Sequence, residues 1–317
     1  MGKGRRNFLK TSVGAVVGMV AWPAVNKITI AQEPIAPQQQ QKTATATRTV
    51  AKYGLALRDQ SEGWIKKIEG GHPSGDVLTE KIGPDRLTRP KVIVKYEAIT
   101  ITCGGGLGKA FYEWLANTIA GQQSEGEDGA ILYADREGSV ISHLSFFGAF
   151  IDQIDFPGVD ATSKDEGILK VKFEIEHSAA RSGGLFRFTP EERKPWLASN
   201  FRLTIDGIEG LRPKSIQPVT WKQMLVGSWP RLKALDKTVS DLVISVPEAQ
   251  AQVLLKWRQT SSKKDGTLEY LSPDLKTTLF QLGFKGLAIK TMTPNVMGTT
   301  REMRVAMSVD ALNFTVL

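Results

Sequence analysis

The feature that most constrains this chain is an internal repeat. Residues 129–133 read GAILY, and residues 266–270 read GTLEY, 137 positions later. Two further matches at the same offset are Phe147 with Phe284 and Pro157 with Pro294. A sequence that echoes itself at a fixed distance indicates one structural unit used twice. We therefore predict two tandem units, and we expect the segment between these anchors to keep its length.

Each unit is predicted to contain one amphipathic helix. Between Leu107 and Ala120 the apolar side chains recur three and four residues apart, as on one buried helix face. They are Leu107, Ala110, Phe111, Trp114, Leu115 and Ile119. The counterpart begins at Pro247, a favourable first-turn residue, and carries Val253, Leu254 and Trp257. Trp114 and Trp257 take matching places, and we interpret both as core residues rather than as ligand platforms.

Each unit also ends in a strand that alternates between apolar and polar residues. In the first unit Leu169, Val171, Phe173 and Ile175 alternate with Lys170, Lys172, Glu174 and Glu176. In the second, Met303, Val305, Met307 and Val309 alternate with Arg304, Ala306, Ser308 and Asp310. A period of two predicts one face on a core and one face toward water or a partner. The units open alike, since residues 53–57 and 201–205 both read as strands.

The first 31 residues are predicted to be a targeting segment. Residues 4–10 resemble the twin-arginine export signature, with Gly4 where Ser or Thr is usual. The export-signal residues are Arg5, Arg6, Phe8, Leu9 and Lys10. The apolar stretch 13–24 is shorter than the roughly 20 residues that span a bilayer, so we predict no stable membrane span. Residues 29–31 offer a small-residue cleavage site. A chance basic and apolar leader and an uncleaved anchor are the alternatives.

The charge of the chain is concentrated at its start. Residues 32–52 are predicted to be a disordered linker, because prolines, glutamines and a Thr/Ala alternation offer too little apolar surface to fold. The formal net charge is +8, and the first 50 residues hold seven of the 41 Lys/Arg and one of the 33 acids. The rest of the chain, with 34 basic and 32 acidic residues, is close to neutral. A nucleic-acid partner would need a basic patch on the folded part, so we predict no sequence-specific nucleic-acid binding.

Cysteine and histidine usage predicts neither a disulfide nor a metal site. Cys103 is the only cysteine, which excludes an intrachain disulfide. His72, His143 and His177 are far apart in the sequence and have no cysteine neighbours, so each is interpreted as a structural residue.

Three patterns that invite a catalytic interpretation lack the required spacing. Residues 103–109 read CGGGLGK before a helix, but Ala110 stands where a phosphate loop needs Ser or Thr. Glu174 and Glu176 beside His177 have the spacing of any solvated strand, and the carboxylates of Asp152, Asp155 and Asp160 do not form a calcium loop. We predict no catalytic, cofactor-binding or metal-binding residue, no cofactor and no enzyme activity.

Five segments of the first unit together share the pattern of a known family. They are residues 94–101 (VKYEAITI), 111–115 (FYEWL), 146–151 (FFGAFI), 156–165 (FPGVDATSKD) and 171–176 (VKFEIE). This pattern, over roughly residues 53–178, resembles the tail-tube proteins of contractile phages and related extracellular injection systems. The second unit matches weakly, because residues 297–301 (MGTTR) replace the DATSKD stretch. The doubled chain and the export leader are both departures from the family.

The resemblance implies a mainly β (α+β) fold. The expectation is two tandem β-barrel or sandwich domains, at residues 53–182 and 196–317, each with one flanking α-helix. It also implies a structural subunit of a phage-tail-like tube, in which the sheets of neighbouring subunits join into one inner barrel. The implied partners are further copies of the chain, sheath proteins, and baseplate or terminator proteins. Members of the family usually form hexameric rings from single units, so three doubled chains are expected to close a ring.

The leader sets the expected location and one competing function. A functional leader predicts export to the periplasm or the cell exterior, and otherwise assembly in the cytoplasm into a virion-like particle is expected. The alternative from another class is an exported monomeric binding protein, with a surface glycan as a candidate ligand. The size in solution separates the two, because rings indicate a tube and a stable monomer indicates a binding protein.

Overall fold

The structure is a computed structural model that describes residues 49–58, 60–82, 87–183, 188, 190, 196–227, 229, 232–297 and 300–316. The leader at 1–31 and most of the linker at 32–52 lie outside these residues, so both stay predictions. Strands make up 59% of the structure and helices 11%, and the prediction of a mainly β fold is confirmed. No helix among the described residues is long and apolar enough to cross a membrane.

The first half of the chain holds eleven of the strands and one helix. They are β1 (Lys52–Leu57), β2 (Gln60–Ile65), β3 (Lys67–Glu69), β4 (Pro73–Ile82), β5 (Leu87–Tyr96), β6 (Ile99–Cys103), α1 (Lys109–Ala120), β7 (Glu127–Ala134), β8 (Val140–Phe156), β9 (Val159–Asp160), β10 (Leu169–Glu174) and β11 (His177–Ser182). The predicted helix is present and begins two residues after Leu107.

The second half follows the same plan. Its elements are β12 (Phe201–Ile205), β13 (Ser215–Ile216), β14 (Val219–Val226), β15 (Lys233–Val239), β16 (Leu242–Pro247), α2 (Ala251–Thr260), β17 (Lys264–Leu271), β18 (Thr278–Met297), β19 (Thr300–Ser308) and β20 (Ala311–Val316). A short 3-10 helix (Glu248–Gln250) follows Pro247 and leads into α2, so the regular helix starts later than its first-turn proline predicts.

The same strand pairings occur in both halves. β1–β7, β7–β8, β8–β10, β10–β6 and β6–β3 in the first half recur as β12–β17, β17–β18, β18–β19, β19–β16 and β16–β13. The register recurs as well, because Leu55 lies opposite Ile131 and Leu203 lies opposite Leu268. Two further pairings also recur, β4–β5 as β14–β15 and β8–β11 as β18–β20. We call residues equivalent when they take the same place in these pairings, or in α1 and α2 aligned on Trp114 and Trp257.

The distance along the sequence between equivalent residues changes from element to element. It is 148 residues in β1, β3 and β4, and 143 in β5, β6 and α1. It is 137 in β7, 138 in β8, and 134 in β10 and β11.

The register corrects one detail of the sequence repeat. Gly129 lies opposite Phe146, and Gly266 lies opposite Phe284, so the equivalent of Phe284 is Phe146 and not Phe147. By the same shift Pro294 is equivalent to Phe156, not to Pro157. The prediction of a constant length was wrong by one residue, because the turn between β17 and β18 is one residue longer than the turn between β7 and β8.

The main hydrophobic core runs through both halves. It joins Trp114 and Phe173 of the first half to Trp257 and Phe284 of the second without interruption, and residues 47–317 form one compact unit. The domain boundaries at 53–182 and 196–317 stay a prediction. Buried and more exposed side chains alternate along β10, as predicted. Val253, predicted on the buried face of the second helix, is instead 43% exposed, because α2 turns Leu254 and Trp257 inward.

Candidate assembly interface

The export-signal residues Arg5, Arg6, Phe8, Leu9 and Lys10 lie outside the described residues.

The glycine-rich segment before α1 allows close packing of the backbone against neighbouring side chains. A Cβ on Gly104 would lie 1.8 Å from the Glu166 carboxylate, and a Cβ on Gly105 would lie 1.7 Å from the Trp196 ring. At Gly105 the neighbour is a buried ring, so the backbone there accepts only glycine. At Gly104 the neighbour is the end of a flexible side chain, which can move aside.

The three aspartates near residue 156, whose carboxylates do not form a calcium loop, each have their own hydrogen-bond partner. Asp152 pairs with Lys172 at 2.6 Å, and Asp155 accepts a hydrogen bond from Thr220 Oγ1 at 2.7 Å. Asp160 accepts from Thr162, which lowers the pKa of Asp160. Among the described residues no three His, Cys, Asp or Glu side chains are grouped as metal ligands.

The strongest candidate for a functional surface is the junction between the two halves. Its first component is a strand pairing: β14 of the second half runs antiparallel to the C-terminal part of β8 of the first half. Thr220 lies opposite Asp155, and their side chains form the 2.7 Å hydrogen bond. The buried Gln223 amide donates to the backbone carbonyl of Ile151 at 2.5 Å. The β14–β15 hairpin thereby extends the sheet of the first half.

The second component is helix α1, which packs across the junction onto the second half. Tyr112 stacks on Phe280 of β18, with 6.0 Å between ring centroids, and lies 6.4 Å from Phe314 of β20. The amine of Lys237 on β15 donates to the Ile119 carbonyl near the C-terminal end of α1 at 2.9 Å. Carbonyls at that end lack intrahelical partners, so a cation there satisfies them and complements the helix dipole.

Trp196 fills the centre of the junction. Its indole is 1% exposed and lies edge-on to Tyr270 and Phe280 of the second half, at centroid distances of 5.1 and 5.7 Å. On its other side lie Gly105 and Gly167 of the first half, where a Cβ on either would come within 1.7 Å of the ring. The indole therefore occupies a slot that both halves build.

Tyr270 adds a directed hydrogen bond to this aromatic cluster. Its hydroxyl donates to the Pro157 carbonyl at 3.1 Å, across the junction. Burial raises the pKa of the Tyr270 phenol, so the hydroxyl keeps the proton that it donates. No sequence pattern identifies Trp196, Thr220 or Gln223 as a junction residue. The one available signal in the sequence is that Trp196 directly follows the segment predicted to divide the two units, which contains Gly183, Gly184, Pro190 and Pro195.

Equivalents of both surfaces of this junction occur elsewhere in the chain, on hairpin β4–β5 and on the C-terminal part of β18. There they have no additional strand partner in the described part of the structure. Hairpin β4–β5 is equivalent to β14–β15, yet it forms a two-stranded sheet of its own. The C-terminal part of β18 is equivalent to that of β8 and pairs only with β19. Its residues Thr291, Thr293 and Pro294 are exposed. The described residues thus include an equivalent of each surface of the internal junction, and each of these has one open strand edge.

No family model matches the chain, and no curated protein matches it in sequence. Among solved structures it is similar to a chain of the sheath-tube complex of an extracellular contractile injection system (PVC), at 18% identity and a TM-score of 0.37, over 47% of this chain and 100% of that one. It is also similar to the tube terminating cap of the anti-feeding prophage, at 19% identity, a TM-score of 0.35 and the same coverage. A third likeness, to Hcp1 from Flavobacterium johnsoniae, has 15% identity and a TM-score of 0.26, over 42% of this chain and 97% of that one. TM-scores this low do not establish a shared fold.

Proposed function

We propose that this chain is a structural subunit of a phage-tail-like tube, made of two tail-tube-like units in tandem, whose copies join head to tail into rings. One observation carries the proposal: a single chain contains one completed junction and the two complementary surfaces of another. In the completed junction β14 extends the sheet at β8. Among the described residues the equivalent strands each have one open edge, because β4 pairs only with β5 and the C-terminal part of β18 pairs only with β19.

Joining β4 of one copy to β18 of the next would repeat the internal junction between chains. A contact of this kind uses two different surfaces, so it generates a ring when the rotation between copies closes. Addition of a strand to an open sheet edge is a common mode of protein recognition. Closure also covers edges that would otherwise favour aggregation. If each half takes one place in a ring of six units, three copies complete it.

The role of such a ring is structural, and the proposal assigns the chain no enzyme activity. The proposed partners are further rings of the same chain, a sheath protein, and baseplate or terminator proteins. The folded part is close to neutral, which suits a conduit that passes cargo without holding it. With a functional leader at residues 1–31, assembly takes place in the periplasm or outside the cell.

The first prediction concerns size. The full chain should show the mass of three copies by native mass spectrometry at high concentration, and rings in negative-stain electron micrographs. A ring of six chains would reject the proposed count but keep the tube. A monomer at every concentration would contradict the tube and favour an exported binding protein.

A further inference from the structure

A groove on the first half lies where the second half receives α1. The outward side chains of α1, which include Tyr112 and Ala116, face Phe280, Phe314, Thr315 and Val316 of the second half. The four equivalents of those sheet residues are Ser142, Ala180, Arg181 and Ser182. All four line a single groove on the first half, together with Tyr53 and Tyr133.

The helix that would fill this groove is α2. In the completed junction the second half supplies the hairpin and the first half supplies the helix. In the repeated junction β4–β5 belongs to one copy, so the helix must come from the copy that supplies the edge of β18. That copy presents α2, whose residues Gln252, Leu255, Lys256 and Gln259 are equivalent to the outward residues of α1. None of these four is buried in the chain.

We propose that α2 of one copy docks in the groove on the first half of the next copy, with Leu255 over Ser142 and Ala180. This inference rests on the proposed ring and specifies its second contact. An exposed apolar side chain supports it independently. Val94 on β5 is 54% exposed and is equivalent to Lys237, whose amine lies at the C-terminal end of α1. Docking of α2 places its last turn against Val94.

The chemistry of this contact differs from that inside the chain. Within the chain, Tyr112 packs on two phenylalanines, an apolar contact typical of permanent interfaces. Between chains, one leucine among polar residues meets Ser142 and Ala180, so the contact is smaller and more polar. Around the ring, strong junctions within each chain therefore alternate with weaker junctions between chains. Ring formation depends on protein concentration for this reason.

The experiment uses the full chain with a photoreactive benzophenone amino acid at position 255. After irradiation of assembled rings, cross-linked peptides are identified by mass spectrometry. Links to residues 140–147 or 177–182 of another copy support the docking. Links to any other segment in intact rings would overturn the docking while leaving the proposed function standing. Absence of rings at every concentration would overturn both.

A charge-pair cycle provides a second test. Leu255→Lys alone and Ala180→Asp alone should each raise the concentration for half-assembly by about tenfold or more, because a charge is covered without a partner. The double variant should recover to within about threefold of the original chain. Val253→Lys on the flank of α2 serves as the control and should leave assembly unchanged. Additive losses in the double variant, with unchanged melting of the isolated chain, would contradict the docking.

Discussion

A chain in which residues 74–95 are replaced by Asn-Gly is expected to stay folded and to lose most of its ring formation. Pro73 and Tyr96 lie opposite each other at the base of hairpin β4–β5, so a two-residue turn can join them without displacing β3 or β6. The hairpin pairs with no other strand among the described residues, and its removal leaves the shared core intact. The stub keeps His72 and Pro73, but it loses the rest of the hairpin, including Val94, so a neighbouring copy is held far less tightly. Melting temperature and native mass are the two measurements.

The equivalent deletion in the second half is the matched control, and it should destabilise the chain itself. Trp221 and Val239 lie opposite each other in β14 and β15, so residues 222–238 can be replaced by the same turn. This removes the buried Gln223 amide and its hydrogen bond to Ile151, and the internal junction loses part of its strand pairing. We expect a clearly lower melting temperature. Rings that persist after shortening of β4–β5 would contradict the proposed use of this hairpin.

The second large effect is expected for Trp196→Ala, which should lower the free energy of unfolding by about 3–5 kcal/mol. The indole is almost fully buried, and its slot lies between Gly105 and Gly167 of one half and Tyr270 and Phe280 of the other. Backbone on one side cannot move in to fill the space, so a cavity remains. Because the core is shared, the two halves should unfold together, and thermal unfolding followed by circular dichroism should shift by roughly 6–15 °C.

Trp64→Ala is the control for this substitution. Trp64 is only half-buried and packs on Phe188 in a small separate cluster, so its loss should cost roughly 1–2 kcal/mol. If Trp196→Ala costs no more than Trp64→Ala, or if the original chain unfolds in two separate steps, the junction is not the centre of a shared core.

Local patterns in the sequence predicted the elements well. The spacing of Trp114 and Leu115 indicated α1, and the alternation at Val171 and Phe173 indicated the strand that became β10. These signals depend on which neighbours along the chain share a face, and that is written in the local period. The helix starts were less well predicted, since a glycine-rich turn precedes α1 and a 3-10 turn precedes α2.

The junction could not be predicted in the same way. Thr220 and Asp155 are 65 residues apart and meet only because the edge of β8 is left open after its other pairings form. The two hairpins have little sequence in common, so the repeat gives no hint that they are equivalent. Trp196 follows a segment that reads as a divider, although its side chain joins the halves. The turn before β18 is one residue longer than the turn before β8. Counting along the sequence therefore matches Phe284 to Phe147, although its structural equivalent is Phe146.

A junction between copies that repeats the internal junction has a fixed register between β4 of one copy and β18 of the next. Thr220 and Asp155 lie opposite each other inside the chain, and their equivalents are His72 and Thr293. Directly opposed residues of an antiparallel pair have Cα atoms about 4.5–5.5 Å apart, which a disulfide can bridge. Burial raises the pKa of Cys103 to about 12, so the native thiol will not compete.

The decisive measurement is therefore the cross-linking pattern of the full chain carrying His72→Cys and Thr293→Cys, oxidised and run on a non-reducing gel. We predict covalent species of two and three chains, with the 72–293 link identified by mass spectrometry. His72→Cys with Thr291→Cys is the off-register control, since its diagonal distance of about 7–8 Å is too long for a disulfide. A link in the control pair but not in the predicted pair, or in neither, would rule out the proposed junction between copies.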